Sequence, residues 1–158
     1  MVDAPRVSMP TVRVLLACSD EPYASSLEDV LGGQNMAVSR FLLDVTSGDA
    51  AACLADADVL VVETAALGAP EWRLVEEIRR LVPLLEIVAI SSGPLVRHAV
   101  RALRSGVFAV LEYPVSSALL VHTIASACDR KRKAEVRIRQ LNDDEHWSVR
   151  DTDEGRSQ

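Results

Sequence analysis

The feature that most constrains the fold of this chain is a regular alternation of short apolar runs with longer amphipathic segments. Each run holds four to eight residues, mostly Val, Leu, Ile and Ala, which is typical of a strand buried on both faces of a sheet. Such strands occur in parallel sheets that are covered by helices. The predicted strands are Val12–Cys18, Val38–Val45, Asp58–Val62, Ile87–Ile90 and Val107–Leu111.

The segments between these runs predict helices. Their boundaries carry residues that start and stop helices, such as Pro22 beside the acidic Asp20 and Glu21, and Gly106 at a predicted helix end. Apolar residues inside the segments recur at helical spacing. The first predicted helix extends from the start at Asp20-Glu21-Pro22 to about Leu31. The others extend from Ser47 to about Ala55, from Glu71 to Leu81, from Leu95 to Arg104, and onward from about Ser116.

This order of elements predicts an α/β fold with a doubly wound, parallel, five-stranded sheet. Parallel neighbours need crossover connections, which are right-handed and place helices on both faces of the sheet. Ligands of such sheets bind where the strands end at their carboxyl side. Polar pairs follow four of the predicted strands at that edge, and we expect the functional site among them: Ser19-Asp20, Glu63-Thr64, Ser91-Ser92 and Glu112-Tyr113.

Length, charge and cysteine content narrow the class of function. The 158 residues suffice for one domain with a tail, and the formal net charge of −6 argues against nucleic acid as a partner bound through bulk charge. Cys18, Cys53 and Cys128 are widely spaced, which predicts reduced thiols instead of disulfides or a metal site. The sequence shows neither a signal peptide nor an apolar run of membrane-spanning length, so we expect a cytoplasmic protein with no membrane partner.

Over about Val12 to Asp129 the chain resembles the receiver domain of bacterial two-component response regulators, which has a flavodoxin-like fold of five βα units. In that family an acidic pair follows strand one, a phosphoacceptor Asp ends strand three, a Thr or Ser ends strand four, and a Lys followed by Pro ends strand five. The interval of 22 residues between the last two positions fits the family pattern. The matching residues here are Ser19 and Asp20, Glu63, Ser91, and Tyr113 before Pro114.

The resemblance implies a phosphotransfer chemistry that this chain has altered. In the family a carboxylate attacks a phosphoryl group, a metal held by the other acids screens the charges, and a hydroxyl and an ammonium bind the phosphoryl oxygens. Ser19 in place of an acid leaves Asp20 and Glu63 as the charged ligands, so we expect weak Mg²⁺ binding or none, and no other cofactor. Tyr113 in place of Lys removes the positive charge that would pair with a phosphoryl group.

Two interpretations of Glu63 remain open. It is one methylene longer than Asp, so its carboxylate reaches toward the position of phosphoryl oxygens and would mimic the phosphorylated state. Alternatively, Glu63 is a solvated strand-end residue of a decayed site. The hydroxyls of Ser91 and Tyr113 are candidate donors to Glu63, although packing of the Tyr113 ring over the site is the favoured interpretation.

Two further expectations concern a residue in strand five and a proline just after it. Val110 occupies the position where family members commonly carry an aromatic switch residue, so the usual coupling between site and surface is in doubt and we expect a static module. The resemblance also implies a cis peptide bond before Pro114, because an aromatic residue before Pro tolerates this isomer well.

The last predicted helix carries a stripe that indicates a coiled coil. Its members step by four and three residues in turn, and a polar member of such a stripe selects register or partner number. We expect the helix to run beyond the domain, where the stripe forms either the seam of a homodimer or a linker to an output domain. The stripe consists of Leu120, Ile124, Ala127, Lys131, Ala134, Ile138 and Leu141.

The predicted organisation is a tail at 1–11, the domain at 12–129, a coiled-coil extension at 130–142 and a polar tail or linker at 143–158.

Three functions compete on the sequence alone. The favoured one is a pseudo-receiver, a signalling module that catalyses no reaction and binds partners such as a histidine kinase or an output domain. The second is a conventional phosphoaccepting receiver that uses Asp20 or another carboxylate. The third is a nucleotide- or small-molecule-binding flavodoxin-like module. The loop from Ser19 to Ser25 argues against it, because that loop contains no glycine that would let the backbone bind a phosphate.

Overall fold

Strands and helices alternate along the chain in the order that the sequence predicts. The computed structural model describes residues 11–42, 48–63, 69–91 and 95–154. The strands are β1 (Val12–Ala17), β2 (Met36–Arg40), β3 (Val59–Glu63), β4 (Glu86–Ser91) and β5 (Ala109–Glu112). The helices are α1 (Glu21–Gly32), α2 (Gly48–Asp56), α3 (Ala69–Leu81), α4 (Leu95–Arg104) and α5 (Ser117–Glu154). All strand pairs are parallel, and the sheet order is β2-β1-β3-β4-β5.

The sheet has a separate apolar core on each face because successive residues of a strand point to opposite sides. Val61 of β3 and Ile124 of α5 lie in the core that α1 and α5 cover, whereas Leu60 of β3 and Ile78 of α3 lie in the core that α2, α3 and α4 cover. All four side chains are fully buried. Burial of one such side chain contributes about 1.5–3 kcal/mol. The predicted doubly wound, flavodoxin-like α/β fold with an extended last helix is therefore confirmed.

The second strand is shorter and begins earlier than predicted. It covers Met36–Arg40 and not Val38–Val45, of which residues 43–45 lie outside the described part of the chain. The physical reason is that β2 is an edge strand that pairs with β1 alone. The pairing ends where Leu16 lies opposite Arg40, near the end of β1, so further residues have no strand to pair with. The other predicted elements agree with the structure to within two residues at each end.

The predicted coiled-coil stripe of α5 lies in part against the domain itself. Its first four members are buried, the first three of them in the core beneath α1 and α5, so they are not free to pair with a second chain: Leu120, Ile124, Ala127 and Lys131. The prediction of a dimer seam that begins at Leu120 is therefore wrong. A helix that packs on a sheet and a helix that packs on another helix bury apolar residues at the same spacing, so the sequence pattern does not separate the two.

Lys131 anchors α5 to the amino-terminal edge of the sheet. Its ammonium group donates a hydrogen bond to the backbone oxygen of Ala57 at 2.8 Å and lies 3.2 Å from Oδ1 of Asp58. Oδ2 of Asp58 accepts a hydrogen bond from the backbone nitrogen of Arg13 at 2.9 Å. Only 5% of Lys131 and 6% of Asp58 is exposed, so this pair is a buried one. Lys131 therefore sets the place where α5 leaves the sheet.

The backbone of α5 is one helix from Ser117 to Glu154, and the predicted boundaries after residues 129 and 142 do not interrupt it. The predicted amino-terminal tail lies outside the described residues except for residue 11, and so do residues 155–158. Among the described helices, none combines the length and the apolar character that crossing a bilayer requires.

Removing the charge of Lys131 is expected to destabilise the fold. Lys131→Met keeps the aliphatic stem but leaves the buried Asp58 carboxylate without its ammonium partner, which costs about 3–5 kcal/mol. Urea unfolding followed by circular dichroism measures the free energy of unfolding. The matched control is Lys133→Met, which removes an exposed pair with Asp129 and is expected to cost less than about 0.5 kcal/mol. Equal losses in the two variants would show that the buried pair does not anchor the helix.

Candidate functional site

The carboxyl ends of the strands bring three predicted site residues to one edge of the sheet. In the pairing of β3 with β4, Glu63 lies opposite Ile90, and Ile90 directly precedes Ser91. In the pairing of β4 with β5, Ser91 lies opposite Glu112, and Glu112 directly precedes Tyr113. The backbone nitrogen of Tyr113 donates a hydrogen bond to the backbone oxygen of Ser91 at 2.8 Å. The parallel register thus assembles the predicted positions of Glu63, Ser91 and Tyr113.

A cysteine that the sequence analysis did not assign to the site is the hydrogen-bond partner of Glu63. The thiol of Cys18 donates to Oε2 of Glu63, with 2.9 Å between sulfur and oxygen. Because Ala17 lies opposite Val62, the next residues of the two segments, Cys18 and Glu63, follow at the same level. The signal was present in the sequence, since Cys18 is the last residue of the first predicted strand.

The environment of Cys18 holds its thiol in the protonated form. Burial raises the pKa of Cys18, and the hydrogen bond to Glu63 and the negative charge of that carboxylate raise it further, to about 11. Since the thiolate is the reactive form of cysteine, Cys18 is a poor nucleophile at neutral pH. Within the described residues Glu63 has no ion-pair partner, so its contact at this edge is with a neutral thiol.

Two hydroxyl groups near this edge are buried without a hydrogen-bond partner among the described residues. They are Oγ of Ser91, a residue with no exposed surface, and Oη of Tyr23. The proposed hydrogen bond from Ser91 to Glu63 is therefore not formed. Burying an unpaired hydroxyl costs about 1–3 kcal/mol, so these two groups make this part of the fold less stable than an apolar one of the same shape.

The ring of Tyr113 packs against a second tyrosine that the sequence analysis did not assign to the site. The rings of Tyr113 and Tyr23 lie with their centroids 5.0 Å apart at an interplanar angle of 82°, an edge-to-face arrangement. Burial raises the pKa of Tyr23, and the neighbouring Tyr113, Cys18 and Glu63 raise it further. The structure agrees with the packing interpretation of Tyr113, which stays 49% exposed.

Asp20 of the predicted acidic pocket lies beside Cys18, whose pKa its negative charge helps to raise, and it also caps a helix. Oδ1 of Asp20 accepts a hydrogen bond from the backbone nitrogen of Tyr23 at 3.3 Å and thereby caps α1. Such caps stabilise a helix by about 0.5–2 kcal/mol. Ser19 is exposed. Asp20 therefore starts α1 at the edge where Cys18 and Glu63 meet.

The Mg²⁺ ion that the resemblance implies does not fit the residues present. Mg²⁺ prefers carboxylate and other oxygen ligands in octahedral geometry. At this edge Glu63 faces a protonated thiol and Asp20 is engaged in a helix cap. Within the described part of the chain, no group of three or more His, Cys, Asp or Glu side chains is placed to hold a metal ion.

The two residues singled out in strand five lie within and just after β5. Val110 is partly buried and packs against the core that α2, α3 and α4 cover. The peptide bond between Tyr113 and Pro114 is cis, the isomer that the sequence led us to expect.

Comparisons with known proteins show the fold. No family model and no curated protein matches the sequence. A CheY-like receiver domain protein from Methanospirillum hungatei matches with a TM-score of 0.65 at 18% identity, over 78% of this chain and 98% of that chain. A Burkholderia thailandensis protein named for pilus assembly (CpaE) matches with a TM-score of 0.66 at 24% identity, over 75% of this chain and 99% of that one. A protein named adenylate cyclase from Rhodopirellula baltica matches with a TM-score of 0.68 at 19% identity, over 84% and 98%.

The names of these neighbours describe different functions, although the proteins share one fold. A shared fold does not by itself transfer a function, and at these identities the likeness extends to the fold alone. This chain therefore has the CheY-like receiver fold.

The contact between Cys18 and Glu63 predicts how the cysteine responds to a charge change. Glu63→Gln removes the negative charge but keeps an acceptor oxygen, so the pKa of Cys18 is expected to fall, although burial, its largest cause, remains. The pH dependence of alkylation by iodoacetamide, read on the Cys18 peptide by mass spectrometry, measures this change. The exposed Cys53 serves as an internal control whose profile stays unchanged. Identical Cys18 profiles in the two proteins would contradict the contact.

Proposed function

We propose that this chain is an atypical receiver domain that transmits signals by binding other proteins and accepts no phosphoryl group. The observation that carries this proposal is the hydrogen bond from the Cys18 thiol to Glu63. The resemblance assigns the phosphoacceptor position to Glu63, and the hydrogen bond makes a neutral thiol the neighbour of that glutamate. A working site needs a cation or a metal there.

Electrostatics supports the absence of phosphotransfer. Transfer to a carboxylate brings a negatively charged phosphoryl group against a negatively charged side chain, so a metal ion and a cationic side chain must offset the repulsion. Here Tyr113 occupies the position of the cation and packs on Tyr23, while the donors at this edge do not suit Mg²⁺. A phosphoryl group would meet the charge of Glu63 without compensation.

The contacts also bear on the two interpretations of Glu63. A mimic of the phosphorylated state would draw the hydroxyl of the Ser91 position toward the new charge. In this chain Ser91 Oγ is buried without a partner among the described residues, and Glu63 is bound to Cys18 on the side of β1. This geometry favours a constitutively quiet site, and Val110, with no aromatic ring to rotate, favours a static module.

Partner binding then resides on the surface and on the last helix. Kinases and output domains are the partner classes that the receiver resemblance suggests, and self-association through α5 is supported by Ile138 and Leu141, which stay 44% and 58% exposed beyond the domain.

The three cysteines Cys18, Cys53 and Cys128 are free, which suits a reducing compartment such as the cytoplasm.

Chemical phosphorylation tests the proposal. After incubation with acetyl phosphate and Mg²⁺, the intact mass of the protein is expected to stay unchanged, and calorimetry with beryllofluoride and Mg²⁺ is expected to show no binding. Glu63→Asp is expected to stay inert as well, because Ser19 and Tyr113 still lack the second acid and the cation. A conventional receiver domain serves as the positive control. Phosphorylation of the native chain that Glu63→Gln abolishes would overturn the proposal.

A further inference from the structure

The edge of the sheet at β2 carries backbone groups that no described residue binds. The backbone nitrogen of Phe41, just after β2, donates to the backbone oxygen of Leu16 at 3.0 Å, so the backbone groups of Phe41 face β1. These groups alternate in direction along a strand, and those of Met36, Val38 and Arg40 therefore point away from β1. Because β2 pairs with β1 alone, their N–H and carbonyl groups lie along an open edge.

The charge that would guard this edge is held on one face of the sheet. Open edges are commonly protected by charged side chains, proline or bulges. Arg40 is the one charged residue of β2. Its guanidinium binds two carboxylates of α1, with Nη1 3.1 Å from Oε1 of Glu21 and Nε donating to Glu28. The α1 face of the edge is therefore charged, whereas the opposite face is left without a guarding charge from β2.

On that opposite face a groove of about 280 Å³ lies between β1, β2 and α2. Its buried lining is apolar and includes Leu15, which is 8% exposed, and Ala57, which is 3% exposed. The side chains that β2 contributes, Ala37 and Ser39, are small and exposed, so they do not fill the space. We call this space the edge groove. Its exposed polar lining residues include Arg13, Cys53 and Asp56.

We propose that an extended segment of a partner protein adds to β2 as a sixth strand and places an apolar side chain in the edge groove. A strand is complementary to the open edge because it supplies both N–H and carbonyl groups. Its side chains alternate between the two faces of the sheet, so every second one lies on the groove face. An apolar cavity of about 150 Å³ holds a benzene molecule, so the edge groove accommodates a Leu or Phe side chain.

A different protein fits this surface better than a second copy of the chain. In a pair of β2 strands from two copies, the side chains on the groove face are Ala37 and Ser39 of each. Both are too small to fill the groove, and unfilled apolar space lowers the stability of a packed contact. Leu42, which is 87% exposed just after β2, adds apolar surface at the end of the same edge. The occupant is therefore an apolar strand with larger side chains than β2 offers.

Three synthetic peptides, titrated against the full chain by fluorescence anisotropy, test the proposal. The first alternates Thr and Leu over about eight residues, a common strand length. The second carries Ala in place of each Leu, and the third is the first with every amide N-methylated. The first is expected to bind. Each change is expected to raise its dissociation constant at least about tenfold, because one removes apolar burial and the other removes the edge hydrogen bonds. A chain that binds none of the peptides, or all three equally, would overturn the proposal.

A matched pair of variants locates the binding. Ala37→Phe fills the edge groove from within and is expected to raise the dissociation constant of the Thr-Leu peptide at least about tenfold. Since Ala37 is exposed, urea unfolding of this variant is expected to match that of the native chain. Ala55→Phe makes the same change at an exposed position of α2 outside the groove and is expected to leave binding unchanged. Equal effects of the two variants would contradict binding in the groove.

Amide hydrogen exchange, followed by NMR, identifies the occupant of the edge. The Thr-Leu peptide is expected to slow exchange at Met36, Val38 and Arg40 at least about tenfold, and to change Ala37 and Ser39 little because their amides already face β1. If the first three amides are protected in the chain alone and sedimentation equilibrium shows a dimer, a second copy occupies the edge and the proposal is wrong. This surface is separate from Glu63, so either result leaves the phosphorylation test unaffected.

Discussion

The central strand β3 is the element on which both ends of this molecule depend. Its residues Val59, Leu60, Val61 and Val62 have at most 1% exposure, so both faces of the strand are packed. Asp58, just before its amino end, holds the ammonium group of Lys131, and Glu63 at its carboxyl end accepts from Cys18. A shift of this strand by one residue would turn every buried side chain to the other face. The packing of β3 therefore holds the anchor of α5 and the candidate site in fixed positions.

In the candidate site, the sheet fixes the positions and the side chains that occupy them determine the charge. The strand ends still bring positions 63, 91 and 113 together, since that depends on parallel register and not on residue type. The groups at those positions are a glutamate bound to a protonated thiol, a buried hydroxyl and an aromatic ring packed on Tyr23. None of these three residues brings positive charge to the edge, whereas the resemblance implies a lysine at position 113.

The last helix has two roles along one continuous stripe. Up to Lys131 the stripe covers the sheet, and beyond it the same helical face is exposed. Lys131 marks the change because its charge is neutralised by Asp58 inside the domain. A buried lysine with such a partner fixes where the helix emerges from the domain.

The sequence by itself determined the alternation of elements, the parallel sheet and the edge where the site lies, because burial on both faces leaves continuous apolar runs and because loops follow strands in a fixed order. It placed Glu63, Ser91 and Tyr113 for the same reason. Only the tertiary structure decided that Cys18 binds Glu63, that Tyr23 packs on Tyr113, that Asp20 caps a helix, and that Lys131 faces Asp58 in place of a second chain. Some of these contacts join residues that are far apart in the chain, and others involve residues whose spacing fits two different kinds of packing. They depend on strand register and on which surface covers a helix, and periodicity along one chain encodes neither.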